Sequence, residues 1–174
     1  MYKYTSYIWF TLAVVLLQVF LLDNIDLGAS ISILIRPMIF PLAVLLMPME
    51  WKSIWVLLVS YAIALVLDLM LGGSGIYVLT LLPVALLRTT LLYATTRRSV
   101  ESSDQSQLFA RMRLDQLMLY VGVSLLIYHT LFFFMETLSV AQFGRLVATI
   151  LLSSLCSLLL SWPIVRLFTS KVAS

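Results

Sequence analysis

Charged residues are scarce in this chain. Lys and Arg total 11 and Asp and Glu total 8 among 174 residues, so 11% of the chain is charged while 62% is hydrophobic. A soluble domain carries about 25% charged and about 45–50% apolar residues, which excludes an ordinary soluble fold. The few basic residues are not interleaved with exposed aromatics, so the sequence offers no nucleic-acid surface.

Cysteine is nearly absent as well. Cys156 is the single cysteine and lies inside the last apolar stretch, so the chain can form no internal disulfide and no thiol-rich metal site. We expect no metal, no cofactor and no catalytic centre.

Long apolar stretches make up most of what is present. They predict an all-α membrane protein, one integral membrane domain over residues 1–174, with six transmembrane helices at about 7–22, 31–48, 54–71, 76–93, 116–138 and 146–168. These stretches lack the period-two alternation of barrel strands, and several run past the roughly 9–11 residues that such a strand needs. No small-residue cleavage site precedes Asp23, so the first stretch is expected to be an uncleaved anchor.

The distribution of cations predicts the orientation, because cytoplasmic loops hold an excess of Lys and Arg. One set of loops and ends contains nearly all of the loop cations: Lys3, Lys52, Arg97, Arg98, Arg111, Arg113, Arg166 and Lys171. The opposite set has only Arg145, together with Asp23 and Asp26. Both termini are therefore predicted to be cytoplasmic, in a bacterial inner membrane whose anionic headgroups suit the basic side.

The one substantial hydrophilic stretch is Thr95–Arg113, which mixes Ser, Gln and both signs of charge. It is interpreted either as a docking loop for a cytoplasmic partner or as a solvated linker whose cations fix the topology.

Asp68 lies within an otherwise apolar span and is separated from Gly72 by three residues. An ionised carboxylate in hydrocarbon costs roughly 2.5–3.5 kcal/mol, so Asp68 should face other helices and have a partner. Arg36 in the second span differs from it in depth by only about 3 Å at 1.5 Å per residue. The two could pair, or Arg36 could reach the outer headgroups alone. Pro41 is expected to kink this second helix.

His129 and Glu136 are seven residues apart, which places them on nearly the same face of the fifth helix. They are interpreted either as members of a proton relay or as a neutral packing histidine and a carboxylate near the outer surface.

Small and polar residues recur every fourth position in two spans, which places each set on one helix face. They are Ser60, Ala64 and Asp68 in the third span and Thr149, Ser153, Ser157 and Ser161 in the last. Such faces let membrane helices approach closely, so both are predicted to be packing faces.

The run Gly72-Gly73-Ser74-Gly75, with His129 downstream, resembles the G-x-S-G motif and Ser–His dyad of rhomboid intramembrane proteases. The other markers of that family are missing: its first-loop Trp-Arg pair and its second helix with His and Asn. The histidine also lies on the fifth helix instead of the sixth. A nucleophile would need its base and oxyanion donors in addition.

A second resemblance covers nearly the whole chain and rests on the order and spacing of short motifs. They are Leu17-Gln18-Val19, Leu45-Leu46-Met47-Pro48 with Trp51, Asp68 followed by Gly75, Arg88, Tyr128-His129, Phe134-Met135-Glu136 and the closing run Ile150-Leu151-Leu152-Ser153-Ser154-Leu155. Together they resemble MreD, the small membrane subunit of the bacterial rod-shape and cell-wall elongation machinery, in the form seen in Bacteroidetes-type members.

The resemblance implies a non-enzymatic scaffold with a bundle similar to the S-components of energy-coupling-factor vitamin transporters. It also implies association with MreC and, indirectly, with the MreB filament, RodA and a penicillin-binding transpeptidase. By position, Asp68, Gly75 and Glu136 match the family, whereas Arg36 departs from a usually uncharged position. Arg88 and His129 complete the residues expected to serve structure or partner binding. An S-component-like small-molecule binder would keep the same helices but need a polar pocket facing outward.

Overall fold

The computed structural model describes residues 2–23, 35–96, 112–137 and 143–171 of the chain. Within these ranges the chain is helical and has no strands, which confirms the all-α class. Several features of the predictions lie outside these ranges: Asp26, residues 31–34 of the second span, and the hydrophilic stretch between residues 97 and 111.

Six helices follow one another along the described residues. They are α1 (Tyr2–Leu16), which continues as a π-helical segment over Leu17–Leu22, α2 (Pro41–Leu45), α3 (Ser53–Leu71), α4 (Ile76–Thr96), α5 (Leu114–Thr137) and α6 (Phe143–Lys171). Helices α3 to α6 are long and apolar enough to cross a bilayer, and Tyr7–Leu22 forms a shorter apolar helix. The chain therefore has four helices of membrane-spanning length within its described residues.

The second predicted helix, residues 31–48, is wrong in extent. The structure shows residues 35–39 without helical structure, then only Pro41–Leu45 as a helix, and Pro48 lies beyond it. Proline has no amide hydrogen, so Pro37, Pro41 and Pro48 each remove a donor from the helical ladder. Pro41 fits at the first position of α2, where that donor is not needed, and it starts a helix instead of kinking one.

Consecutive long helices pack side by side: α3 against α4, α4 against α5, and α5 against α6. Residues 35–49, named here the central segment, pack against α1, α4 and α5, and every residue from Met38 to Met47 is buried. Large apolar side chains on α3 and α6 stay exposed on the outside, for example Leu69 and Leu159. An irregular segment at the centre, with apolar helices outside, is an arrangement suited to lipid.

Candidate functional site

The backbone amides of the central segment are bonded to side chains of the surrounding helices. Three of them donate to a side-chain oxygen: Arg36 to Ser153 Oγ at 3.0 Å, Met38 to Ser157 Oγ at 2.8 Å and Ile39 to Gln18 Oε1 at 2.8 Å. Two members of the small-residue face of α6 therefore act as acceptors for unpaired backbone.

The carbonyls of the same segment are bonded in the same way. Six of them accept from side chains: Pro37 from Gln18 at 3.3 Å, Ala43 from Tyr7 at 2.5 Å, Leu45 from Tyr120 at 3.2 Å, and Val44, Met47 and Pro48 from Arg88. Non-helical backbone at membrane depth is tolerated only where it is buried in protein or lines a water-filled cavity, because lipid supplies no hydrogen bonds. These side chains make the central segment compatible with a membrane interior.

Gln18 compensates for a particular missing donor. In a continuous helix the amide of residue 41 would donate to the carbonyl of Pro37, but Pro41 has no amide hydrogen. The Nε2 of Gln18 donates to that carbonyl, while its Oε1 accepts the amide of Ile39. One buried glutamine thus bonds the non-helical backbone at two points, Pro37 and Ile39, just before α2 begins.

Arg88 performs the same task at the other end of the central segment. Its Nη1 donates to the carbonyls of Val44 at 3.3 Å and Met47 at 3.2 Å, and its Nη2 to the carbonyl of Pro48 at 3.3 Å and the sulfur of Met49 at 3.4 Å. Pro48 cannot donate to Val44, so the guanidinium bonds that carbonyl beside the amide of Met47, which lies at 3.3 Å. Only 2% of Arg88 is exposed, and all of its bonded partners are carbonyls or sulfur, as is common for cations inside membrane proteins.

Asp68 binds the start of α4. Its Oδ1 accepts the amides of Gly75 at 3.0 Å and Tyr77 at 3.2 Å, and its Oδ2 accepts the amide of Val78 at 3.0 Å. The first amides of a helix have no partner within it, and a carboxylate there also interacts favourably with the helix dipole. Asp68 therefore joins the end of α3 to the beginning of α4, and its bonded partners are amides of that hairpin instead of Arg36.

Each residue of the turn Gly72–Gly75 is constrained by its backbone angles or by the space around it. Gly72 ends α3 with φ +68°, Ser74 has φ +50° and Gly75 has φ +91°, all in the region that glycine favours. At Gly73 the constraint is space, since an added Cβ would lie 2.5 Å from Oδ1 of Asp68. The turn and the carboxylate fit each other as one unit.

Arg36 pairs with Glu136. Its Nη1 lies 2.5 Å from Oε1 of Glu136, and its guanidinium carbon lies 5.6 Å from the centre of the Phe132 ring. The side chains of the pair are 37% and 38% exposed, so they lie at an accessible edge of the bundle. The pair connects the central segment to the end of α5.

Both ring nitrogens of His129 are bonded within the bundle. Its Nδ1 lies 2.7 Å from the carbonyl of Leu125, and its Nε2 lies 3.2 Å from Oγ of Ser157. A carbonyl can only accept, so Nδ1 carries the proton, and the Ser157 hydroxyl donates to Nε2 while it accepts the amide of Met38. These are not the contacts of a Ser74–His129 dyad.

Tyr7 and Tyr120 are not among the residues predicted above to serve structure or binding, and Gln18 appears there only as part of a motif. Their common signal is a hydroxyl or amide placed in an apolar helix, which needs a partner when buried. The prolines of the second span supplied the other half of the signal, because each one leaves a carbonyl without its usual donor. The identity of each pair still required the fold.

Comparison of the chain with protein-family models, curated proteins and solved structures finds no match. The likeness to MreD therefore rests on the residues that carry it.

Proposed function

We propose that this chain is an MreD-like, non-enzymatic scaffold of the cell-wall elongation machinery in the bacterial inner membrane. In this role it binds an MreC-like membrane protein, is linked through it to the MreB filament, RodA and a penicillin-binding transpeptidase, and supports peptidoglycan synthesis and cell shape. The ordered motifs along nearly the whole chain support the proposal, as do four helices of membrane-spanning length.

One observation carries the non-enzymatic part of the proposal: the polar atoms of the candidate residues are hydrogen-bonded to other groups of the same chain. The bonded partners are Gly75, Tyr77 and Val78 for Asp68, Glu136 for Arg36, backbone carbonyls for Arg88, and Leu125 and Ser157 for His129. Catalysis requires a nucleophile, base or acid that can reach a substrate. Side chains bonded to their own backbone instead support a fixed shape that a partner can recognise.

The orientation belongs to the same proposal: six spans with both termini in the cytoplasm. It is tested in a Cys156→Ser background with single cysteines at Ser103, in the hydrophilic stretch, and at Ser74, exposed in the α3–α4 turn. A membrane-impermeant thiol reagent added to intact spheroplasts should label Ser74→Cys but not Ser103→Cys. Labelling of Ser103→Cys from outside would contradict the proposed orientation.

Co-purification from native membranes tests the partner. The tagged chain should capture an MreC-like protein, and depletion of the chain should round the cells. Asp68→Ala should weaken capture, because the α3–α4 hairpin loses its connection, whereas Leu69→Ala changes a side chain that is 77% exposed on the outside and should not. Equal capture by wild type and Asp68→Ala, at equal protein level, would show that the α3–α4 hairpin is not part of the surface that binds the partner.

A serine-directed activity probe separates the scaffold from a protease. The wild-type chain should stay unlabelled, and Ser74→Ala should leave growth and cell shape unchanged, because Ser74 serves the turn. Location of the gene beside a filament gene supports the scaffold, whereas location beside paired ATPases supports a small-molecule binder.

A further inference from the structure

A polar cavity of about 320 Å³ lies where α3 begins, between that helix and α4. Its polar lining comes from Glu50, Lys52, Ser53, Arg88 and Thr89. This volume is at the lower end of the roughly 300–1,000 Å³ typical of small-molecule pockets. The cavity is thus large enough for a small polar group.

The charges in the cavity favour an anion. Lys52 is exposed and Arg88 is buried, and the four bonds of Arg88 use Nη1 and Nη2 but not Nε. Its bonded partners are carbonyls and a sulfur, so no carboxylate neutralises it through a bond among the described residues. Glu50 is the one acidic residue in the lining, which leaves two cations against one carboxylate.

The helix geometry acts in the same direction. Helix α3 begins at Ser53 with no side-chain cap, and the amides of Trp55 and Val56 donate to the carbonyl of Lys52. The two amides before them, those of Ser53 and Ile54, are the ones that a ligand could bind. The positive end of the helix dipole also lies at this edge of the cavity.

An apolar groove of about 620 Å³ adjoins the cavity along α3 and α4. Leu86 lines both, and the groove continues past Leu82, Leu65 and Leu79 toward Asp68. Leu86 and Leu79 are exposed on the face that lipid would cover. A polar cavity next to an apolar groove matches a headgroup and one acyl chain better than a free ion.

From the cations of the cavity and its position beside the groove we infer that the chain holds an anionic glycerophospholipid, with its phosphate in the Lys52–Arg88 cavity and an acyl chain in the α3–α4 groove. Anionic lipids concentrate in the cytoplasmic leaflet, the side predicted for Lys52. The choice of leaflet rests on the orientation proposed above, whereas the site itself does not depend on the scaffold function.

Native mass spectrometry of the full chain, titrated with phosphatidylglycerol or phosphatidylcholine of the same acyl chains, tests the site. Wild type should bind phosphatidylglycerol more tightly. Lys52→Gln should weaken that binding about fivefold, from about 1 kcal/mol per cation near an anionic lipid. Glu50→Gln should tighten it, because a repelling carboxylate is lost.

Arg113→Gln is the matched control, since it removes one exposed cation that is paired with Asp115 away from the cavity. Equal weakening by Arg113→Gln and Lys52→Gln would reduce the effect to net charge and overturn the site. Equal binding of the two lipids by wild type would also overturn it. Displacement of phosphatidylglycerol by millimolar inorganic phosphate would assign the cavity to a free anion and contradict the lipid.

Discussion

The guanidinium of Arg36 is paired with the carboxylate of Glu136, which lies 100 residues later in the chain. The backbone amide of Arg36 is held by Ser153 on α6, so one residue connects the central segment to both α5 and α6. The side chains of the pair are more than a third exposed, and an exposed ion pair contributes little to stability. The pair therefore fixes the position of the central segment against α5 and adds little to the free energy of unfolding.

A double-mutant cycle should find a coupling energy of about 0.2–1 kcal/mol between Arg36→Ala and Glu136→Ala, as for other exposed pairs. The cycle of Arg36→Ala with Asp68→Ala should be additive, because the bonds of Asp68 go to the α3–α4 hairpin. Unfolding of the purified chain in detergent measures both cycles. A larger coupling for Arg36 with Asp68 than with Glu136 would contradict this arrangement.

Asp68→Ala should lower the free energy of unfolding by about 0.5–2 kcal/mol, the usual cost of losing a residue that caps helix amides. Asp68→Asn should cost less, because its amide oxygen can still accept the bonds that Oδ1 makes, while the Oδ2 bond to Val78 is lost. Thermal unfolding in detergent measures the series. If Asp68→Asn were as damaging as Asp68→Ala, charge and not hydrogen bonding would be the property that matters.

Gly73→Ala should be strongly destabilising, since the new methyl group would lie 2.5 Å from Oδ1 of Asp68 and from Cδ2 of Tyr77. Gly144→Ala is the matched control: it lies on α6, and nothing is within 4 Å of its added Cβ. That change should be neutral or slightly stabilising, because alanine favours a helix over glycine. The yield of monodisperse protein after heating compares the two, and equal yields would contradict the close approach at Gly73.

Ser157→Ala should cost about 1–3 kcal/mol, because it leaves the buried amide of Met38 without its acceptor and removes the hydroxyl bonded to Nε2 of His129. Ser154→Ala is its control on the same helix, since the Ser154 hydroxyl is buried with no hydrogen-bond partner among the described residues. Its loss should be neutral or stabilising. A smaller effect at Ser157 than at Ser154 would show that the network is not formed.

Arg88→Met should be the most damaging of these changes, since it removes the side-chain donor to the carbonyls of Val44, Met47 and Pro48 at once. The backbone bonds that remain to Val44 and Pro48 are long, at 3.3 and 3.4 Å. Arg88→Lys should recover only part of the loss, because an ammonium cannot reproduce the planar fork of the guanidinium. The amount of chain that inserts in membranes and survives extraction measures both. A chain with Arg88→Lys as stable as wild type would mean that one carbonyl, not three, matters.

The helices that sequence reasoning located well are those with uninterrupted apolar runs. The predicted spans 54–71, 76–93, 116–138 and 146–168 correspond to α3, α4, α5 and α6, whose observed bounds run a few residues further at most ends. Composition could not reveal that residues 31–48 fail to form one helix, because that segment is as apolar as its neighbours. The prolines indicated that the helix is interrupted. They did not indicate which donors would bind the carbonyls that are left without their usual partners.

The sequence by itself predicted a lipid environment and the all-α class, since long apolar runs without the alternation of barrel strands favour helices that bond their own backbone. Tertiary structure decided the pairing of the buried polar groups: Arg88 with carbonyls, Gln18 with the central segment, Asp68 with amides and Arg36 with Glu136. Hydrogen bonds between residues up to 119 apart in the chain depend on which helices become neighbours. The sequence pattern indicates that a buried polar group needs a hydrogen-bond partner. The packing of the helices decides which residue that partner is.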